Sequence, residues 1–136
     1  VSFKKSITDD LIPEIEAAGI GSMGVDLFSV EPPDDQDVRF FTLLRQSPVG
    51  GAVHRVLSGN ESMETSFLVV QVVSTTEEDG LDTANKVKET LEALRRYLIE
   101  DTQYMSILAV TPVRLIGCDS QRRYVHEVVF QVNRKQ

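Results

Sequence analysis

The chain has 136 residues, of which 41% are hydrophobic and 26% charged, with a formal net charge of -7 and one cysteine. A domain of this length buries roughly 68% of the surface its unfolded chain exposes, so no metal or disulfide staple is needed, and Cys118 alone cannot form an internal disulfide. Residues 1–37 hold two Lys and nine Asp/Glu, net -7, while the rest of the chain is near balance, which argues against the phosphate neutralisation that tight nucleic-acid binding requires.

Ile7, Leu11, Ile15 and Ala18 recur at helical steps, which predicts a helix over Ile7–Ala18, with Thr8 or Asp9 as cap and Gly19 as stop. Pro13 would interrupt its ladder and leaves Leu11 as an alternative start. Residues 19–37 read as an irregular loop with three Gly and Pro32-Pro33. Arg39–Gln46 reads as a strand, and Val53–Leu57 as its partner after the turn signals Pro48, Gly50 and Gly51. Phe67–Ser74 is apolar on both faces, which places it centrally in the sheet. It also contains the longest apolar run, which is far short of the ~20 residues of a membrane span.

Ala84, Val87, Leu91, Leu94 and Leu98 form one apolar stripe, predicting a helix over Leu81–Glu100 with Glu92 and Arg96 paired on its outer face. Ile107–Ile116 reads as a strand that is an edge or bulged at Pro112, which cannot donate to a ladder. Tyr124–Val132 alternates Tyr124, Val128, Phe130 and Val132 against Glu127 and Gln131. The order α-β-β-β-α-β-β predicts an α+β domain: a mainly antiparallel sheet of four to five strands with two helices packed on one face.

The motifs that carry chemistry elsewhere lack their context here. Gly19-Ile20-Gly21-Ser22-Met23-Gly24 matches a dinucleotide fingerprint by letter, but that site needs a strand before it and a helix after it; here a helix precedes and prolines follow. Glu31, Asp34, Asp35 and Asp37 lack the Gly and distal Glu of a calcium loop and read as a solvated acidic loop. His54, His126 and Cys118 have no ligand spacing, and His126 reads as a core histidine. No serine sits in a nucleophile elbow, and no basic stretch followed by an apolar one opens the chain as a secretory leader would. Arg122 and Arg123 either solubilise a hairpin end or make forked contacts with carboxylates of a neighbouring chain.

Several features recur in order: an N-terminal helix with Pro13, then Gly21, Gly24-Val25-Asp26-Leu27-Phe28, Pro32-Pro33, Gly50-Gly51 and Val69-Val70-Gln71-Val72. The amphipathic helix follows, then Leu115-Ile116-Gly117-Cys118-Asp119 and Arg122-Arg123 before the last strand. This series resembles the small minor capsid or tail-completion proteins of long-tailed bacteriophages, relatives of the tail terminators, across nearly the whole chain as a single domain, residues 1–136. One departure is Gln121, where the pattern has a Gly before the arginines.

The resemblance implies a structural protein with no enzymatic activity and no cofactor. Such a protein forms a homo-oligomeric ring, usually a hexamer, at the head-proximal end of the tail tube. The ring ends tube growth and docks the head connector, and DNA passes through it. It implies a place in the virion tail or neck after assembly in the host cytoplasm, with the tail tube protein and the head connector as partners, and no membrane. The charge asymmetry adds an expected interface in which Asp34, Asp35 and Asp37 meet Arg122 and Arg123 across a protein–protein boundary. A head-closure protein of the same neck, or an unrelated cytoplasmic α+β ligand-binding domain or enzyme, are the competing readings.

Overall fold

The computed structural model describes residues 5–32, 39–47, 52–55 and 62–135. Helix α1 spans Ile7–Ala17, capped by Ser6, whose hydroxyl accepts from the Asp9 N–H at 3.1 Å; Thr8 and Asp9 therefore lie inside the first turn. The helix runs through Pro13 without breaking. Its one lost backbone bond is offset by Ile7, Leu11 and Ile15, all fully buried on both sides of the proline. Gly19, with φ of 77°, ends the helix, and the N–H groups of Gly19 and Ile20 close onto the carbonyls of Glu16 and Ile15.

The described part of the segment read as irregular from 19 to 37, residues 19–32, contains more order than expected. The Ser22 carbonyl accepts from the N–H groups of Val25, Asp26 and Leu27, the Asp26 carboxylate caps the Ser22 N–H at 2.7 Å, and Gly24 takes a φ of 83°. This turn delivers a two-residue strand, β1 (Leu27–Phe28), which runs parallel to β2 (Phe41–Gln46).

Two long antiparallel strands form the spine of the sheet, β4 (Ser62–Ser74) and β8 (Tyr124–Lys135), paired without a break from Met63↔Lys135 to Ser74↔Tyr124. Each is flanked by two shorter strands laid end to end. Along β4 run β2 and then β3 (Ala52–Arg55); along β8 run β6 (Thr102–Ala109) and then β7 (Arg114–Cys118). The sequence places Pro48 between the first pair and Pro112 between the second, where a residue with no N–H cannot continue a ladder. Thus β3 pairs with β4 and not with β2, and the strand expected over Ile107–Ile116 is two strands sharing one neighbour.

Helix α2 starts earlier and ends earlier than expected, spanning Glu77–Glu92 behind the cap Thr76. Arg96 turns the chain at a φ of 50°, and β5 (Tyr97–Ile99) pairs back onto β6 through a Glu100-Asp101 turn. The helical stripe in the sequence continued through Leu98, but Tyr97 and Ile99 favour a strand once Tyr104 and Thr102 lie opposite them. The expected Glu92–Arg96 pair is therefore absent. Instead the Glu92 carboxylate accepts from the Ala109 N–H at 3.1 Å, fastening the helix end to β6.

The result is an α+β fold with one sheet of eight strand segments in the order β1-β2-β4-β8-β6-β5, with β3 and β7 beside β4 and β8. It is mixed, because β1 is parallel to β2, and it has more strands than the four to five expected. The additional strands are β1 from the loop, β5 from the predicted helix tail, and β7, split from the strand expected over Ile107–Ile116 near Pro112. Both helices cover the same face. Ile7, Leu11 and Ile15 of α1 and Val87 and Leu91 of α2 pack on Leu44, Leu68, Val70, Val128, Phe130 and Val132.

Candidate functional site

Strand alternation decides what the other face of the sheet presents. Residues that follow the even register of β4 and β8 point to the helices; Phe67, Val69 and Val129 point away. No helix among the described residues covers them, and they remain half-buried. In the pairing register Val69 lies opposite Val129, and Phe67 lies opposite Gln131, which in turn faces Leu108. The Val110 N–H bonds the Val129 carbonyl at 2.8 Å, extending the same apolar band to Val110. Leu108 and Val110 are both exposed.

Polar rows border this band on both sides. On one, the Thr65 hydroxyl donates to Asn133 at 2.6 Å and the Asn133 amide donates to Ser106 at 3.0 Å. On the other, the Gln71 amide donates to Glu127 at 3.0 Å, and Arg114 reaches the same carboxylate at 3.4 Å. An apolar band inside a polar rim is the composition of a contact surface.

At the end of this face where β2 begins, Phe28, Phe41, Leu43 and Val73 form a second small core, with Phe28 and Phe41 edge to face at 5.8 Å. Beside it lies a hollow of about 180 Å³ bordered by Glu31, Pro32, Asp119, Gln121 and Arg123. The β7–β8 turn forms one wall. Its geometry rests on Asp119, whose carboxylate accepts from the N–H groups of Gln121 and Arg123 and from the Arg123 guanidinium at 2.7 Å. Burial pushes the Asp119 carboxyl upward, but those hydrogen bonds and the Arg123 charge outweigh it and hold the group below its ordinary value.

The two arginines singled out in sequence therefore differ. Arg123 is mostly buried, ion-paired to Asp119 and stacked over the Phe41 ring at 5.4 Å. Arg122 is exposed and takes the left-handed φ of 60° that a glycine would adopt more easily. Position 121, where the family pattern has Gly, does not carry the positive φ. Asp34, Asp35 and Asp37 lie outside the described residues; Pro32, two positions before Asp34, shares the hollow with Arg123.

The residues weighed for chemistry are dispersed. His126 is buried beneath the first turn of α2, and its Nδ1 has no hydrogen-bond partner among the described residues; burial lowers its pKa below 6.5, partly opposed by Glu77. Cys118 is exposed on β7, and His54 lies on β3. Among the described residues no three His, Cys, Asp or Glu side chains converge as metal ligands, and no helix is long and apolar enough to cross a membrane. Gly19 and Gly24 serve the helix end and the turn before β1. The sequence reading missed the exposed edge residues Leu98, Leu108 and Val110; the alternation of 107–110 was the available signal for the last two.

The family model for the bacteriophage tail terminator protein matches residues 14–136. Among curated proteins no match is found. A chain from the solved virion of a native gene transfer agent particle superposes with a TM-score of 0.68 over 96% of each chain at 10% identity, so the two share a fold. With a match that leaves out only residues 1–13, the chain belongs to the bacteriophage tail terminator family, structural components of the virion tail.

Proposed function

We propose that the chain assembles into a ring of identical copies, six as the family resemblance implies, on the head-proximal end of the tail tube. There it stops tube growth and presents a docking face to the head connector, with DNA passing through the channel. The observation that carries this reading is the uncovered sheet face: Phe67, Val69, Val129, Leu108 and Val110 form an apolar band with no helix over it among the described residues. Burying such a band contributes ~25 cal/mol per Å² removed from water, which a neighbouring protein supplies and a monomer does not.

Arg122 and the acidic residues Asp34, Asp35 and Asp37 are assigned to contacts across a protein–protein boundary. Because Arg123 is already engaged by Asp119, Arg122 carries the basic half. Rim contacts of this kind steer association and fix orientation more than they add affinity. Surplus acid facing a channel repels the DNA backbone and lets it slide.

The test is to mix the purified protein with tail tubes and, separately, with DNA-filled heads. Binding to one end of the tubes, with tube growth arrested, is the expected result. Binding to heads alone assigns the chain to head closure.

A further inference from the structure

We propose that the two opposite ends of the sheet are the two halves of one head-to-tail contact between copies of this chain. This inference rests on the ring reading above and names the surfaces that build it. The strand order places β1 at one end of the sheet and β5 at the other. Each end exposes large apolar side chains, and the two ends carry opposite charge.

At the β1 end, the turn and the residues that follow it expose Met23, Val25 at 67% and Val30 at 71%. The carboxylates there include Glu16, which accepts from the Met23 N–H at 3.2 Å, and Glu31, both exposed, beside Asp26, which caps the Ser22 N–H. At the β5 end, Tyr97, Leu98 at 64% and Leu108 are exposed. Arg95 and Arg96 border a shallow hollow floored by Met105 and Leu108, and neither ion-pairs with another described residue. Of the carboxylates nearest in sequence, Glu92 accepts from the Ala109 N–H at 3.1 Å and Glu100 is taken by Lys5 at 2.8 Å. The outer edge of β5 carries backbone groups that no described strand pairs.

The occupant of each end is a second copy, because each end supplies what the other lacks. A two-fold contact would set the same patch against itself, arginine on arginine or carboxylate on carboxylate. A head-to-tail contact sets Arg95 and Arg96 of one copy against Glu16 and Glu31 of the next and stacks the exposed apolar side chains between them. Contacts between two different patches generate closed rings when the rotation closes. The rest of the uncovered sheet face, Phe67, Val69, Val129 and Val110, is left to the other proteins of the particle.

The experiment uses two charge-reversed forms of the full chain, Arg95→Glu/Arg96→Glu and Glu16→Lys/Glu31→Lys. All four positions are exposed, and circular dichroism with thermal unfolding confirms that each form folds. Sedimentation velocity and negative-stain imaging are run for each form alone and for an equimolar mixture, free and with tail tubes. Each form alone should remain monomeric where the wild type forms rings, because both of its ends now carry one sign. The mixture should recover rings of alternating copies. Rings formed by either reversed form alone overturn this contact and leave the ring reading standing. A mixture that stays monomeric shows that the two ends do not meet and overturns it equally. A wild type that forms no ring even on tail tubes removes the ring reading and this contact together.

Discussion

Gly80 and His126 show how one position in a helix can be fixed by a side chain on the sheet. A Cβ on Gly80 would meet the Ser74 hydroxyl and sit 2.6 Å from His126 Nδ1, and both groups are buried. Alanine is the better helix former by about 1 kcal/mol, yet overpacking of this kind typically costs about 1–3 kcal/mol. We expect Gly80→Ala to lower stability by about 1–2 kcal/mol net in urea unfolding, against the propensity scale. His126 itself makes stability depend on pH. Its folded pKa lies below 6.5, so as pH falls through that value the unfolded chain takes up the proton first, and stability is lost. Stability is thus full above pH 6.5 and declines below it, and His126→Gln should flatten that part of the pH profile.

A buried polar cluster ties the two ends of the described chain together. The Arg134 guanidinium donates to the Lys5 carbonyl at 2.9 Å and to Glu64 at 3.1 Å, and lies 3.7 Å from Asp10 on α1. The Tyr104 hydroxyl donates to Asp10 at 2.5 Å, and burial together with that carboxylate raises its pKa far above the ordinary value. Arg134→Ala should cost about 3–5 kcal/mol, because it leaves Asp10 and Glu64 in the interior without their cation. Tyr104→Phe, which removes the hydrogen bond donated to Asp10 and the longer one accepted from Arg134 at 3.4 Å, should cost about 1–3 kcal/mol. Denaturant titration of the two variants checks both values and their order.

This cluster was invisible in the sequence, since Asp10, Glu64, Tyr104 and Arg134 are scattered and meet only after β4, β6 and β8 pair. The local elements were more legible. The stripe of α1 and the alternation of the last strand followed from periodicity, because each buries one face against the same core, and the central position of Phe67–Ser74 followed from its being apolar on both faces. Periodicity misled where two patterns overlapped. Leu94 and Leu98 continue a helical stripe, yet Leu94 is buried beyond the end of α2, and Leu98 is exposed on a strand. Of the two arginines singled out for an interface, Arg122 is exposed, whereas nothing local showed that Arg123 would fold back on Asp119 and Phe41.

For the whole molecule, the charge asymmetry predicts how assembly responds to salt and mutation. Arg122→Glu should weaken association with little change in monomer stability, since the side chain is exposed and the left-handed φ is carried by either residue. The loss should be largest at low ionic strength and shrink as salt screens the rim, with a Debye length of about 10 Å at 0.1 M. Association rates at several salt concentrations read this directly. The central claim, a ring that ends the tail tube, is tested most directly by cryo-electron microscopy of tails carrying this chain, with the copies counted at the tube end. The account predicts one ring of identical copies at the head-proximal end, in contact with the last tube ring. A single copy at the neck, or copies found only on tail-less heads, would contradict it.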